Sequence, residues 1–353
     1  MRGSPVVLID ATPVTAGSTG VARYTRELIR CLPAAGADIR PFAIGRGRNP
    51  APPGTTMIRA PQRVAQAWWR CSPLPRIEHL IGRGDLAHST GLVPPPTRLP
   101  LIMTIHDVLA VTRPDLHSKA AARRQRRHLA ELDRATAILS VSQTTADDLV
   151  RLGFAATRIE VTRMGCTPLA SPSPIPGLPS RFVLAVGELH PRKGLEVLIR
   201  SLAHAPEVRA VFAGPDAGIG QVLRRLAMEL GVEGRVQFLG QVTDAQLAWL
   251  YGEASVLAFP SRAEGFGLPL LEALAAGLPV VATDLPVFRE VAGDAARFVP
   301  IGDAVALGGA LCELMEDETA RGQMSRAGLE RAQAFTWDAT AASTVACYRK
   351  MVG

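Results

Sequence analysis

Phe259-Pro260-Ser261-Arg262-Ala263-Glu264-Gly265-Phe266-Gly267-Leu268-Pro269-Leu270-Leu271-Glu272-Ala273 is the stretch from which the rest of the chain can be read. The apolar run Val256–Phe259 predicts a buried β-strand, the two glycines predict a turn, and the spacing from Leu268 onward predicts a helix. Pro269 suits the first helical turn, where its missing N–H is no loss. A helix that starts straight after a strand points its free N–H groups and the positive end of its dipole at whatever binds there, and that favours phosphate or sugar oxygens. Gly265 and Gly267 allow a ligand to approach the backbone closely. Glu272 lies about one turn into the helix, where a carboxylate can accept two hydrogen bonds from the vicinal hydroxyls of a ribose. Glu264, at the turn, can do the same for sugar hydroxyls. A bare Gly-x-Gly would read as a strand, a turn and solvated glutamates, but this pattern is much longer.

The strand–turn–helix unit repeats on both sides of it. After it comes the apolar run Pro279–Ala282. Before it come Phe182–Val186, Ala210–Ala213 and Val236–Leu239, separated by helical patterns at Leu195–Ala203, Gly220–Leu230 and Asp244–Tyr251. Earlier still, Val6–Ile9, Leu101–Ile105 and Ala137–Val141 alternate with helical patterns such as Val21–Leu32 and Thr144–Leu152. Such alternation predicts α/β domains with doubly wound parallel sheets. Four prolines in Ser171–Pro179 exclude helix and central strand there and predict a linker. The expected organisation is therefore a first domain over 1–170, a linker over 171–180, a second domain over 181–334 and a terminal helix over 335–353. At 353 residues the chain has room for two such domains. Two facing sheets create a cleft at their carboxyl ends, where open α/β sheets bind ligands. Dehydrogenases, periplasmic-type binding proteins and sugar transferases all share this architecture.

Composition narrows the choice. Apolar residues make up 47% of the chain and charged residues 20%, which is a globular balance. No apolar run is long enough for a transmembrane helix, and the short run before Asp10 reads as a first strand and not a secretory signal. Five scattered cysteines, without C-x-x-C spacing, argue against a disulfide framework or a zinc site and fit a reducing cytoplasm. The net charge of +7 is uneven: residues 1–180 carry 23 basic and 12 acidic side chains, and residues 181–353 carry 16 and 20. The first half therefore suits an anionic partner, either a phospholipid surface or a phosphate-bearing acceptor. Arg123, Arg124, Arg126 and Arg127 form its densest basic helix and are the candidates for contact with an anionic membrane. With 5% aromatics and no binding module, nucleic acid is not expected.

A second informative stretch is Val186-Gly187-Glu188-Leu189-His190-Pro191-Arg192-Lys193-Gly194, just after the first strand of the second half. Arg192 as a fork and Lys193 as a point charge can neutralise a diphosphate, and would then stabilise growing negative charge on a leaving group. In the first half, Gly17-Ser18-Thr19-Gly20 precedes a helix and can offer N–H groups to phosphate or acceptor hydroxyls. His106 follows an apolar strand and can meet a sugar hydroxyl. Asp107 either orients that histidine or caps the next turn.

The long Glu264–Glu272 pattern resembles the signature of glycosyltransferase family 4, the large retaining family of GT-B fold. Gly187-x-Leu189-x-Pro191-Arg192-Lys193 is similar to the mannosyltransferase-like branch that builds bacterial O-antigens and other glycans. Gly17–Leu28, Thr104–Asp107, Ser140–Thr145, Val236–Gly240 and Leu285–Ala296 are similar to it as well. Two departures stand out. Glu188 replaces an arginine that many members direct at phosphate, and Arg163-Met164-Gly165-Cys166 replaces Pro-Asn-Gly-Val. The resemblance implies two Rossmann-like domains, with the helix over 335–353 crossing back to the first, and retaining, metal-independent hexosyl transfer from a nucleoside diphosphate sugar, with GDP-mannose as first choice. It implies donor contacts at Gly187, Val236, Phe238, Gly265, Phe266, Gly267, Leu268 and Glu272. It also implies reaction-centre roles for Arg192, Lys193, Glu264 and His106, with the acceptor near Gly17–Gly20 and Asp107. No cofactor or metal is expected. A GT-B epimerase and a non-catalytic sugar-nucleotide-binding protein are the alternatives.

Overall fold

The computed structural model describes residues 3–17, 19–45, 47–91 and 94–353. It contains two compact units, one of Met1–Pro114, Ser118–Gly165 and Phe335–Gly353, the other of Asp115–His117 and Cys166–Ala334. The division falls at Gly165/Cys166, five residues before the boundary expected from the prolines. Ser173 N donates to Ala245 O at 3.0 Å, so the proline-rich stretch is fastened to the second unit.

The first unit is built on seven strands: β1 (Val6–Asp10), β2 (Asp38–Ile44), β3 (Thr56–Ile58), β4 (Leu86–Ser89), β5 (Leu101–Ile105), β6 (Ala137–Ser140) and β7 (Ile159–Val161). Their order is β3-β2-β1-β4-β5-β6-β7, and every pairing is parallel. β4 and β5 are buried along their whole length, as parallel strands covered on both faces must be. Leu8, Phe42, Met103, Leu132, Ile138 and Leu149 make the core under the helices. Burying each such side chain stabilises the unit by about 2 kcal/mol before conformational entropy is charged against it.

The second unit has six parallel strands: β8 (Val183–Val186), β9 (Ala210–Ala213), β10 (Val236–Gly240), β11 (Val256–Phe259), β12 (Val280–Thr283) and β13 (Arg297–Val299). Their order is β10-β9-β8-β11-β12-β13. In both sheets the chain starts in the middle, builds outward on one side, and then returns to the other. That reversal creates a crevice at the carboxyl ends of β1 and β4 in the first unit and of β8 and β11 in the second.

The last helix, Trp337–Val352, packs on the first unit. Tyr348 is fully buried, and its hydroxyl meets His88 Nδ1 at 2.6 Å. Thr340 Oγ1 donates to Arg163 O at 2.7 Å. Gly165 is explained here: a Cβ on it would collide with the backbone of Thr336 and Trp337, so the residue allows the end of β7 to meet the helix start.

Candidate active site

In the second unit, the segments after β8 and β11 lie side by side. The first makes a single 3₁₀ turn, Pro191–Lys193, capped by His190 Nδ1, which accepts from Arg192 N at 3.1 Å. Gly194 then takes a left-handed conformation (φ 59°), and any side chain on it would strike Pro260 O. This close approach lets Arg262 N donate to Arg192 O at 2.8 Å, which fixes the two segments together.

Their side chains converge on Glu264. Lys193 Nζ meets its Oε1 at 2.6 Å and Arg192 Nη1 its Oε2 at 2.5 Å. Ser261 Oγ donates to Oε1 at 3.0 Å, and Thr283 Oγ1 at the end of β12 donates to Ser261 O at 2.5 Å. Arg192 also donates to Ala263 O at 3.2 Å, and Lys193 Nζ lies 4.9 Å from the Phe259 ring centre. Lys193 is 7% exposed. Burial alone would raise the Glu264 carboxyl, but the Lys193 and Arg192 charges and their hydrogen bonds bring it down to about 2. Burial pulls the Lys193 ammonium below its ordinary value, opposed by Glu264. A cluster of two cations and one buried anion is costly to desolvate and adds little stability. It holds the two cations with their directions set in advance, an arrangement that can accept a further anion.

The turn that follows is shaped by Gly267 (φ 99°), where a Cβ would strike the Phe288 ring. It caps the helix Leu268–Ala275, whose Leu270, Leu271, Ala273 and Leu274 are buried against the sheet. Glu272 is buried on the same helix, 4% exposed, and accepts from Tyr251 Oη at 2.9 Å. The Tyr251 hydroxyl is also 3.4 Å from Pro269 O. Gly187 closes the group at the end of β8, donating to Ala213 O at 2.9 Å. Gly265, Phe266 and Leu268 belong to the turn itself and its first helical residue, with Phe266 buried.

Val236 and Phe238 are not brought to this edge. Val236 pairs with Ala210 at the amino end of its strand, and Gly240 is the residue that reaches the carboxyl end. Phe238 stacks on Phe212 with ring centres 4.8 Å apart, and the Arg224 guanidinium lies 4.5 Å from its centre. Both side chains pack against the core. β10 is the edge strand of its sheet, and both side chains are half-buried there.

In the first unit, a cavity of about 540 Å³ opens at the ends of β1, β4 and β5. Gly17, Thr19, His106 and Asp107 line it. Thr19 caps the helix Gly20–Cys31 by accepting from Ala22 N at 3.3 Å. Ser18 lies outside the described residues. The Tyr24 ring stands edge-on to His106 at 4.8 Å. Burial lowers the His106 imidazole to about 4, against the pull of Asp107, and a hydrogen bond joins it to the Thr90 backbone. His106 Nε2 is buried and has no hydrogen-bond partner among the described residues. Asp107 Oδ1 accepts from Leu109 N and from Gln125 Nε2, both at 3.1 Å, so Asp107 caps the next turn.

Sequence reasoning missed Asp10 and the role of β4. Asp10, 3% exposed, lines the same cavity, and burial raises its carboxyl to about 6 against hydrogen bonds from Thr12. Its place as the last residue of the first strand was the available signal. His88 on β4 joins Thr104 Oγ1 at 2.8 Å, and Thr104 lies 3.2 Å from Tyr24 Oη. The wall behind His106 is thereby tied to the terminal helix through Tyr348. Arg123, Arg124, Arg126 and Arg127 are all exposed on the helix Lys119–Ala130, and of these Arg124 and Arg127 line the cavity. Among the described residues, no helix is long and apolar enough to cross a membrane. No group of three or more His, Cys, Asp or Glu among them could hold a metal ion. All five cysteines are free.

Known proteins match both units. Residues 174–331 match the family described as Glycosyl transferases group 1, and residues 18–167 match Glycosyltransferase Family 4. The chain is 31% identical to the O-antigen chain mannosyltransferase B of Escherichia coli over 70% of each protein. It is 37% identical to a phosphatidyl-myo-inositol mannosyltransferase of Mycolicibacterium smegmatis, over 55% of this chain and about half (51%) of that protein. The solved sucrose-phosphate synthase from Thermosynechococcus elongatus superposes with a TM-score of 0.79 at 26% identity, covering 98% of both chains. Fold and matches define a glycosyltransferase of GT-B architecture, in the hexosyltransferase class. The chain belongs to glycosyltransferase family 4.

Proposed function

We propose that the chain is a retaining, metal-independent transferase that moves a hexose, with mannose from GDP-mannose as first choice, to a hydroxyl of a glycan, lipid-linked or natural-product acceptor. The observation that carries this reading is the Arg192–Lys193–Glu264 cluster, two cations held in direction by one buried carboxylate. A diphosphate arriving there meets both cations without any need to reorient them, and the charge that develops on it as the sugar leaves is stabilised more than the ground state. Glu264 thus acts mainly through the two cations. Glu272, held by Tyr251, serves the ribose hydroxyls, and the turn Gly265–Leu268 serves the sugar and the distal phosphate.

The bond from the anomeric carbon to the diphosphate oxygen breaks as the bond to the acceptor oxygen forms on the same face. The acceptor proton passes to the departing diphosphate oxygen. Gly17–Gly20 and His106 then hold the acceptor side. Mannose is favoured by the two mannosyltransferase relatives, at 31% and 37% identity.

The test is thermal shift against GDP, UDP, ADP and dTDP, followed by transfer from the matching donor sugars. A nucleotide that binds the folded chain must raise its melting temperature. Lys193→Ala and Glu264→Ala should abolish transfer. No stabilisation by any nucleotide, or full turnover in both variants, would overturn the reading. Epimerised donor in the absence of acceptor would favour the epimerase alternative.

A further inference from the structure

A line of buried hydrogen-bonding side chains runs through the first unit, from its last helix to the wall of the cavity. Tyr348 Oη lies 2.6 Å from His88 Nδ1, His88 Nε2 lies 2.8 Å from Thr104 Oγ1, and Thr104 Oγ1 lies 3.2 Å from Tyr24 Oη. None of these residues is more than 1% exposed. Burial, and then the neighbouring His106, lower the His88 imidazole to about 3, so it is neutral and carries one proton. Were that proton on Nδ1, it would point at Tyr348 Oη and leave the buried tyrosine proton with no acceptor among the described residues. Tyr348 therefore donates to Nδ1, His88 donates from Nε2 to Thr104, and the Thr104 proton is left for Tyr24.

The line ends at His106. The Tyr24 ring stands edge-on to it at 4.8 Å and is backed by Trp337 of the last helix at 6.0 Å. Thr104, on β5 two residues before His106, lines the cavity as well. His106 in turn bonds to the Thr90 backbone, and Thr90 Oγ1 donates to Asp10 O at 2.7 Å. Apolar side chains would fill this interior without any polar group to satisfy. A fully paired polar line instead specifies a single arrangement, because a member that turns away leaves its neighbours unsatisfied. We propose that Tyr348 and His88 are positioning residues for the transfer reaction, holding Thr104 and Tyr24 so that His106 keeps one orientation in the cavity. The proposal rests on the reading that His106 serves the acceptor hydroxyl.

Histidine side-chain proton–nitrogen correlation spectra of the full chain test this without any acceptor. Two variants each remove one hydroxyl from the line, Tyr348→Phe and Thr104→Val. The expected result is that His88 reads as the Nε2–H tautomer and that either variant shifts the ring nitrogens of His106 as well as those of His88. His190 and His204 of the second unit should stay in place, and Thr104→Ser, which keeps the hydroxyl, should leave His106 as it is. In transfer from GDP-mannose to methyl α-D-mannoside, each of the two variants should lower kcat about tenfold with the donor KM unchanged, since misorientation at the reacting centre costs rate and not donor binding. Combining them should cost little more than either alone, as for groups that act through one another. A His88 proton on Nδ1, His106 signals unmoved by both variants, fully additive losses, or a lowered melting temperature with kcat intact each overturns the proposal. If the unaltered chain transfers no sugar from any donor, it is the transferase reading that fails, and the spectra still decide whether His106 is held through this line.

Discussion

Replacing Asp10 with asparagine should make the protein more stable above neutral pH and less active. The carboxyl is 3% exposed, and burial raises it to about 6 from an ordinary 3.8. In the unfolded chain it ionises near its ordinary value, so between about pH 4 and 6 the unfolded state loses its proton while the folded state keeps it. Stability therefore falls as pH rises through that window and is flat above it. A shift of about two units corresponds to about 3 kcal/mol at most. About half of that, roughly 1.5 kcal/mol, is lost between pH 5 and 8. Asparagine keeps an acceptor for the Thr12 N–H and carries no charge, so its advantage over the unaltered chain should widen by roughly this amount from pH 5 to 8. Parallel thermal melts of both proteins across that range measure it, and subtraction removes the titration of every other group. A constant difference between the two, or one that shrinks as pH rises, would refute the reasoning. A group that lowers stability in this way at the carboxyl end of a first strand is the mark of a site kept for function.

Other outcomes follow from the same geometry. In the pH profile of kcat/KM for acceptor, the acid limb should fall near pH 6 as Asp10 gains its proton, and Asp10→Asn should remove the limb along with most of the rate. Glu264, held at about 2 by its two cations, should contribute no limb above about pH 4. Glu264→Gln leaves the buried Lys193 and the half-buried Arg192 without their anion and should destabilise the second unit by about 3 kcal/mol, read as a lowered melting temperature. Gly267→Ala meets both a left-handed backbone and the Phe288 ring, and should cost about 2 kcal/mol while raising the donor KM. Tyr251→Phe removes the hydroxyl donated to Glu272 and should raise the donor KM several-fold with kcat little changed.

The second unit was far more legible in the sequence than the first. Its strands β8, β9 and β11 are short and wholly apolar, as in Val256–Phe259, and the loops after β8 and β11 carry the chemistry. In the first unit β4 was invisible, because Leu86-Ala87-His88-Ser89 places two polar residues in the interior. Ser89 donates to Gly91 O nearby, but His88 is tolerated through partners far along the chain, Thr104 and Tyr348, which no local pattern can display. β2 was hidden by Asp38, Arg40 and Pro41, which argue against a strand locally and were outvoted by its pairing with β1 and β3. At the site, the spacing of Glu264 and Glu272 was legible, but their partners were not. Glu264 serves the two cations, and Glu272 is held by a tyrosine 21 residues earlier. Val236 and Phe238 came from the family resemblance alone, and the ring contact that places Phe238 on Phe212 of the neighbouring strand is not displayed by any local pattern.

The helix Trp337–Val352 gives the first unit an unusual history during synthesis. Its sheet is complete once β7 has left the ribosome, yet His88 must wait for Tyr348, 260 residues later, before its Nδ1 has a partner. A nascent chain therefore holds a first unit with an unsealed interior while the whole second unit is made and folds. The helix works as a closing piece, and the wall behind His106 is set only after the second unit has been made. Quality control acting on the newly made protein would see an incomplete first unit until that moment, and a chain stopped short of residue 337 would expose it permanently.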